Sequence, residues 1–300
     1  MPPHAHEIPN ILDSLLDSAR RAREMLEDDA ARQIVDFLLG QSATDGGFVG
    51  PGGSADLYYT FFGLLALEAL GAAYPAEGHA NYIERFSGCQ DLDLVHTACC
   101  LCSLALVSRR RNVTPEGSLA GALGRFRQTD GSYADPDHPG ANVYHSFLAV
   151  TAHDALGADL EDPEGLFASL EHLRTDDGGF ANEPTMTVST TTASAAAAVL
   201  GMRLAGDADR RLNESIRNRF VETGGFKAAP NAPVPDLLST ATAVFALDAT
   251  GRLERRLREP SLSFVDGLWS ASGGFAGSPL DSTADCEYTF YGLLALGCLA

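Results

Sequence analysis

The sequence predicts an all-α protein in which about six buried helices form an inner ring and about six amphipathic helices surround it. Three observations lead there. A unit of about 48 residues recurs six times along the chain, and a fixed period of tens of residues marks a repeat architecture. Within each unit one segment is apolar on every side and another on one side only, the patterns of a buried and of a surface helix. The first and last units carry nearly the same text, Tyr59-Thr60-Phe61-Phe62-Gly63-Leu64-Leu65 against Tyr288-Thr289-Phe290-Tyr291-Gly292-Leu293-Leu294. An open solenoid needs atypical, water-facing ends, so alike ends point to closure.

Residues 1–35 precede the first repeat and place Arg20, Arg21, Arg23 and Glu24 around apolar positions, which suggests an extension of one or two helices ahead of a single domain at 36–300. A glycine-aromatic turn recurs five times ahead of the apolar runs: Gly46-Gly47-Phe48, Gly131-Ser132-Tyr133, Gly178-Gly179-Phe180, Gly224-Gly225-Phe226 and Gly273-Gly274-Phe275. Glycine admits positive φ there, and the aromatic plugs the gap between helix pairs. The apolar runs open alike, as Asp56-Leu57-Tyr58-Tyr59-Thr60, Asp93 to Thr97, Asn142 to Ser146, Asp236 to Thr240 and Asp285 to Thr289, with a degenerate copy, Thr187 to Thr191, between the third and fifth. Counted on the hydroxyl residue the spacings are 37, 49, 45, 49 and 49. The segments after the hydroxyl are the inner helices. Pro163–Arg174 and Arg210–Phe220, with apolar residues every three or four, are outer helices.

Twenty-one Lys and Arg against 40 Asp and Glu leave a net charge of −19, and Lys227 is the single lysine. A protein that grips phosphates needs a basic face, so nucleic acid is not the expected partner, and an anionic membrane surface would repel the chain. Apolar stretches such as Phe61–Leu67 and Ala195–Gly201 fall far short of the roughly 20 residues of a membrane-spanning helix. The first residues lack the basic start and apolar run of a secretory signal, which suggests a cytoplasmic protein. Cys89, Cys99, Cys100, Cys102, Cys286 and Cys298 sit mostly in apolar helical text without a CxxC pair, as buried free thiols of a reducing compartment do.

Gln41-x4-Gly46-Gly47-Phe48-x-Gly50-x8-Tyr59-Thr60-x3-Leu64-x2-Leu67 and its five relatives resemble the repeats shared by protein prenyltransferase β subunits and squalene-type terpene cyclases, over roughly residues 36–300. The resemblance implies an α/α toroid whose central apolar funnel holds an isoprenoid. In the β subunits an Asp and a Cys of one opening and a His of the next hold a catalytic zinc. Of that set only Asp236 has its counterpart here: Leu238 stands at the Cys position, Tyr288 at the His position, and Pro230 and Pro233 at those of the diphosphate-gripping Arg and Lys. The expectation is therefore no cofactor. A zinc site relocated to His96 and His145, with Asp56 or Asp93 as a third ligand, is the competing reading, set against histidines bonded at the rim.

In terpene cyclases of the acid-initiated class the proton donor is an Asp two residues before the Thr of such an opening. At that offset the units carry Tyr58, Val95, Tyr144, Ser189, Leu238 and Glu287. Glu287 alone is an acid, and Asp285 beside it, together with an apolar funnel, would raise its pKa as a carboxylic proton donor requires. The repeated opening Asp residues read first as helix caps. Tyr58, Tyr59, Phe62, His96, Tyr144, His145, Asp236, Tyr288 and Tyr291 are the expected substrate-binding residues at the inner-helix mouths, where aromatic faces suit a prenyl chain or a carbocation. The leading expectation is a linear prenyl substrate cyclised by Brønsted acid, with Glu287 as donor and Asp285 assisting. A divergent prenyltransferase β-like subunit and a non-catalytic lipid-binding or scaffold protein are the alternatives.

Overall fold

A computed structural model describes residues 10–86, 88, 91–138, 140–206 and 209–300. Its helices in chain order are α1 (Ile11–Arg20), α2 (Asp28–Gly40), α3 (Leu57–Ala69), α4 (Ala76–Glu84), α5 (Leu94–Arg110), α6 (Val143–Leu156), α7 (Pro163–Leu170), α8 (Thr191–Ala205), α9 (Arg210–Arg217), α10 (Leu237–Ala249), α11 (Arg255–Asp266) and α12 (Cys286–Leu299). A 3-10 segment, Gly117–Phe126, takes the outer position between α5 and α6.

The inner ring closes. α3 packs on α5, α5 on α6, α6 on α8, α8 on α10, α10 on α12, and α12 returns to α3. The outer layer closes as well, through the glycine turns. A Cβ on Gly46 would lie 2.2 Å from the Gly78 carbonyl oxygen of α4, and one on Gly224 would lie 2.1 Å from the Pro260 carbonyl oxygen of α11. One on Gly273 would meet the Gln33 carbonyl oxygen of α2 at 2.5 Å. Each turn is thus pressed against the next unit's outer helix, and the last is pressed against α2. The division expected at residue 36 falls inside α2, which serves the ring as an outer helix.

In five of the six openings a buried hydroxyl ties the turn aromatic to the inner helix, 12 to 14 residues further on. Thr60 Oγ1 accepts the Phe48 N–H at 2.9 Å, Ser146 the Tyr133 N–H at 3.1 Å, Thr240 the Phe226 N–H at 2.9 Å and Thr289 the Phe275 N–H at 3.2 Å. In the fourth unit the acceptor is Ser194, at 3.0 Å from the Phe180 nitrogen. Thr190 caps α8 by accepting the Ala193 N–H, and Phe180 bridges to Thr190 as Phe226 does to Asp236. The degenerate opening is therefore Thr190 to Ser194, three residues later than expected from Thr187–Thr191. The error has a simple source: four consecutive hydroxyl residues, 189 to 192, and a fifth at 194 offer several registers, and only the bond to Phe180 selects one.

The expected caps are caps. Asp56, Asp93, Asn142, Asp236 and Asp285 each accept a backbone N–H in the first turn of the helix that follows, satisfying donors that have no partner within the helix. Two short ribbons, Phe48–Val49 with Ala55–Asp56 and Phe275–Ser278 with Asp281–Asp285, lead into α3 and α12. In those two helices glycine makes room for the plug: a Cβ on Gly63 would lie 2.6 Å from the Phe48 ring, and one on Gly292 the same distance from Phe275.

The capped ends of the inner helices form one mouth of the ring. Across the opposite ends lies α1, whose Ile11, Leu12, Leu15 and Leu16 are buried. Its Ile11 N–H donates to Asp154 Oδ2 at 2.9 Å near the end of α6, and the Arg21 Nε just beyond it donates to the Gly297 carbonyl at 2.8 Å at the end of α12. Asp154 also holds Arg203 of α8 at 2.7 Å. The ring is thus a cup with α1 as its floor. No described helix is long and apolar enough to cross a membrane.

Candidate active site

Inside the cup is a cavity of about 450 Å³, within the size range of small-molecule sites. Its wall is built in layers. Residues four and seven positions apart on a helix share a face, so the position two before each opening hydroxyl is followed down the barrel by those two and five after it. The upper layer is Tyr58, Tyr144, Thr192, Leu238 and Glu287. Below it come Phe62, Leu148, Ala196, Thr242 and Tyr291, then Leu65, Thr151, Val199, Phe245 and Leu294. Leu15 of α1 closes the bottom, and Asn182, Met186 and Thr190 stand at the mouth.

The sixth helix, α5, contributes nothing to this wall. Its positions in the three layers are Val95, Cys99 and Cys102, and both thiols are fully covered. Tyr58 and Tyr144, from the helices flanking α5, stand close to each other in the cavity wall. Together they screen it, and the open space lies instead against α8, where Ala193, Ala195 and Ala196 are the smallest lining side chains.

Glu287 is the one carboxylate in the lining. Burial raises its pKa, the hydrogen bond from Tyr58 lowers it, and the nearby charge of Asp285 raises it again, leaving it at about 7. The Tyr58 hydroxyl donates to Glu287 Oε1 at 2.7 Å. Tyr144 lines the cavity beside Tyr58. When the carboxyl is protonated, its proton sits on Oε2, the oxygen that Tyr58 leaves free. Phe62 stacks edge-on to Tyr58 at 4.9 Å between ring centroids and lies 5.4 Å from Tyr291, so the acid looks onto a wall of ring faces.

Of the residues expected at the site, Glu287, Tyr58, Phe62, Tyr144 and Tyr291 line the cavity. Six do not. Asp285 is buried as the cap of α12, its carboxyl accepting the Tyr288 N–H at 2.8 Å and bonded to the Glu287 backbone N–H, and it acts on the Glu287 side chain through its charge. The Asp236 carboxyl accepts from the Ser239 N–H and hydroxyl at 2.7 and 2.8 Å. Tyr59 and Tyr288 lie where a Cβ on Gly50 and Gly277 would come within 2.3 Å of their rings. His96 bridges two caps, with Nδ1 2.7 Å from Asp93 and Nε2 3.2 Å from Asp56. Burial opposes its charge, but the carboxylates outweigh that and raise its pKa. His145, its pKa lowered by burial, has Nε2 3.6 Å from Asp135.

Sequence reasoning missed Asn182, Met186, Thr151, Thr192, Phe245 and the α8 alanines. The layer rule would have found Thr151, Thr192, Ala196 and Phe245 once the fourth hydroxyl was placed at Ser194, which exchanges Ser189 for Thr192 in the upper layer. Ser189 is buried instead against Asp177 and Arg219.

The zinc of the prenyltransferases does not fit this donor set. Leu238 faces the cavity where a thiolate would be needed, the Tyr288 ring packs on Gly277, and the two histidines are each engaged by carboxylates. Among the described residues no group of three or more His, Cys, Asp or Glu side chains is arranged to hold a metal ion.

The sequence profile of the prenyltransferase alpha-alpha toroid domain matches residues 12–210 and 191–300. The chain belongs to this family. No curated protein matches it significantly. Among solved structures it resembles a variant of the type II terpene cyclase MstE from Scytonema in complex with geranylgeranyl dihydroxybenzoate, with a TM-score of 0.62 and 13% identity over 94% of this chain and 97% of that one. It also resembles Candida albicans protein geranylgeranyltransferase-I complexed with GGPP, with a TM-score of 0.63 and 14% identity over 96% and 93% of the chains. A protein from Actinoplanes gives 0.61 and 17% over 90% and 98%. At such identities the likeness is one of fold, and a fold hosts many activities.

Proposed function

We propose that this protein is an isoprenoid-handling enzyme that takes a linear prenyl chain into its cup and starts carbocation cyclisation by proton transfer from Glu287. The observation that carries the proposal is a single carboxyl in the cavity lining, its pKa raised by burial to about 7, set in the upper layer of a largely apolar and aromatic wall. Glu287 Oε2 delivers its proton to a terminal alkene or epoxide, and the π electrons of the next double bond close the ring. The faces of Tyr58, Phe62 and Tyr291 stabilise the positive charge as it moves. Loss of a proton from carbon ends the reaction, and solvent at the mouth returns one to Glu287, so an alkene substrate and its product are isomers. Tyr58 has two tasks. It fixes the carboxyl rotamer, and by donating to Oε1 it keeps the acid stronger than burial alone would leave it.

The family neighbours support this reading with an isoprenoid in each of two complexes: a type II cyclase with a geranylgeranyl substrate and a transferase with GGPP. The test is incubation of the wild type and Glu287→Gln with a panel of linear prenyl alkenes and epoxides in D2O, with products read by gas chromatography and mass spectrometry. Cyclic product carrying one solvent deuterium, made with or without a chelator and absent from Glu287→Gln, is the expected result. Turnover that survives Glu287→Gln, or that requires added metal, would overturn the proposal.

A further inference from the structure

The mouth of the cavity is chemically lopsided. On the side of α12 and α3 stands the acid with its tyrosines. On the side of α8 stand Asn182, Thr190 and Thr192, uncharged groups lining the same space. Their hydrogen bonds leave capacity over. Asn182 Oδ1 accepts the Tyr144 N–H at 3.0 Å, which satisfies an otherwise free donor of α6 and fixes the amide, and its Nδ2 has no partner among the described residues. Thr190 Oγ1 accepts the Ala193 N–H at 3.2 Å as the cap of α8. Thr192 Oγ1 has only Thr190 Oγ1, at a long 3.4 Å. Two amide protons and a threonine hydroxyl are therefore fixed in place and available to a ligand.

Among the described residues no Arg or Lys lines the cavity, although Lys227 lies beside the start of α8, where its carbonyl accepts the Thr191 hydroxyl at 2.5 Å. Arg125 is bonded to the Leu92 carbonyl at 2.6 Å and stacked on Phe126, Arg127 is paired with Glu161 at 3.2 Å, and Arg174 with Glu171 and Asp209 at 2.8 and 2.6 Å. A diphosphate depends on such charges for its affinity, and here it would stand beside Glu287 in a protein of net charge −19. An uncharged head with a hydroxyl or carbonyl oxygen matches what the mouth offers.

We propose that Asn182 and Thr192, with Thr190 beside them, form a subsite for an uncharged, hydrogen-bonding head group, and that the substrate is a prenyl chain bearing such a head in place of a diphosphate. The prenyl tail lies against the alanine wall of α8 below the subsite, where the space is. The inference rests on the isoprenoid reading above but not on the chemistry of Glu287, because it concerns binding alone.

Binding of farnesol, farnesyl diphosphate and farnesene to the purified protein, followed by tyrosine fluorescence and isothermal titration calorimetry, tests it. Farnesol should bind the wild type about tenfold more tightly than farnesene, the equivalent of one net hydrogen bond, and more tightly than the diphosphate. Thr192→Val, which keeps the branched shape, and Asn182→Asp, which keeps the acceptor for Tyr144 and removes the amide donors, should each erase most of that preference and leave farnesene binding unchanged. Glu287→Gln should retain it. Preference for the diphosphate, equal binding of farnesol and farnesene, or a preference that persists in both variants would overturn the subsite and leave the isoprenoid reading standing. Binding of none of the three probes would overturn both. Binding with no turnover in any assay would remove the catalytic role of Glu287 and leave the subsite intact.

Discussion

Replacing Glu287 by Gln should stabilise the fold, and the gain should grow with pH. The folded pKa of about 7 lies above the ordinary value of 4.5, so the folded protein holds a proton that the unfolded chain has lost through the interval between them. Stability contributed by a raised acid is complete below the unfolded pKa and is lost as pH rises to the folded pKa. Above it both states are ionised and the loss is constant, at most about 3 kcal/mol by linkage. Gln is neutral at every pH, matches the shape of the protonated acid, and can accept the Tyr58 proton through its amide oxygen. Between about pH 5.5 and 8.5 the advantage of Glu287→Gln over wild type should therefore widen by about 2 kcal/mol. Urea unfolding of both proteins at the two pH values, followed by circular dichroism, measures it directly. A difference that stays constant with pH, or that shrinks toward pH 8.5, would mean that the carboxyl is hydrated and ionised in the cup, and the case for a proton donor there would fail.

Three further outcomes follow from named contacts. Tyr58→Phe removes the bond that lowers the Glu287 pKa, so the alkaline limb of the activity profile should move to higher pH while the maximal rate falls; an unmoved limb would show that Tyr58 does not act on the acid. Ser194→Ala should cost about 1–2 kcal/mol in denaturant unfolding, because the buried Phe180 N–H then lacks its acceptor, and a neutral result would argue against the fourth-unit register. Gly292→Ala should destabilise by about 1–3 kcal/mol, since its Cβ meets the Phe275 ring in a packed core; an unchanged melting temperature would mean that the plug moves freely.

Much of the cup was legible in one dimension because its repeat is enforced by local chemistry. Caps, turn glycines and the hydroxyl that holds the turn aromatic are short-range requirements, and each leaves a residue at a nearly fixed offset. The same regularity exposed Glu287 as the one acid at its offset, and Tyr58, Phe62, Tyr144 and Tyr291 as its companions. The sequence also carried a trace of the floor. The last helix has Gly297 where the first has Glu68, and a Cβ at Gly297 would lie 1.9 Å from the Ser18 carbonyl oxygen of α1.

Other features belong to the tertiary structure, because they depend on which residues meet across the ring. His96 and Tyr59 share their openings with Tyr58 and with the cap aspartates, yet helical rotation turns them onto neighbouring units and away from the cavity. The displacement of the space toward α8 comes from two tyrosines of non-adjacent helices meeting in front of α5, a contact between residues 86 positions apart. Asn182 reaches the mouth only because it also serves α6, the helix of the preceding unit. Periodicity tells which side of a helix is buried; the identity of what faces it, and hence the site, is set by packing between segments that the chain places far apart.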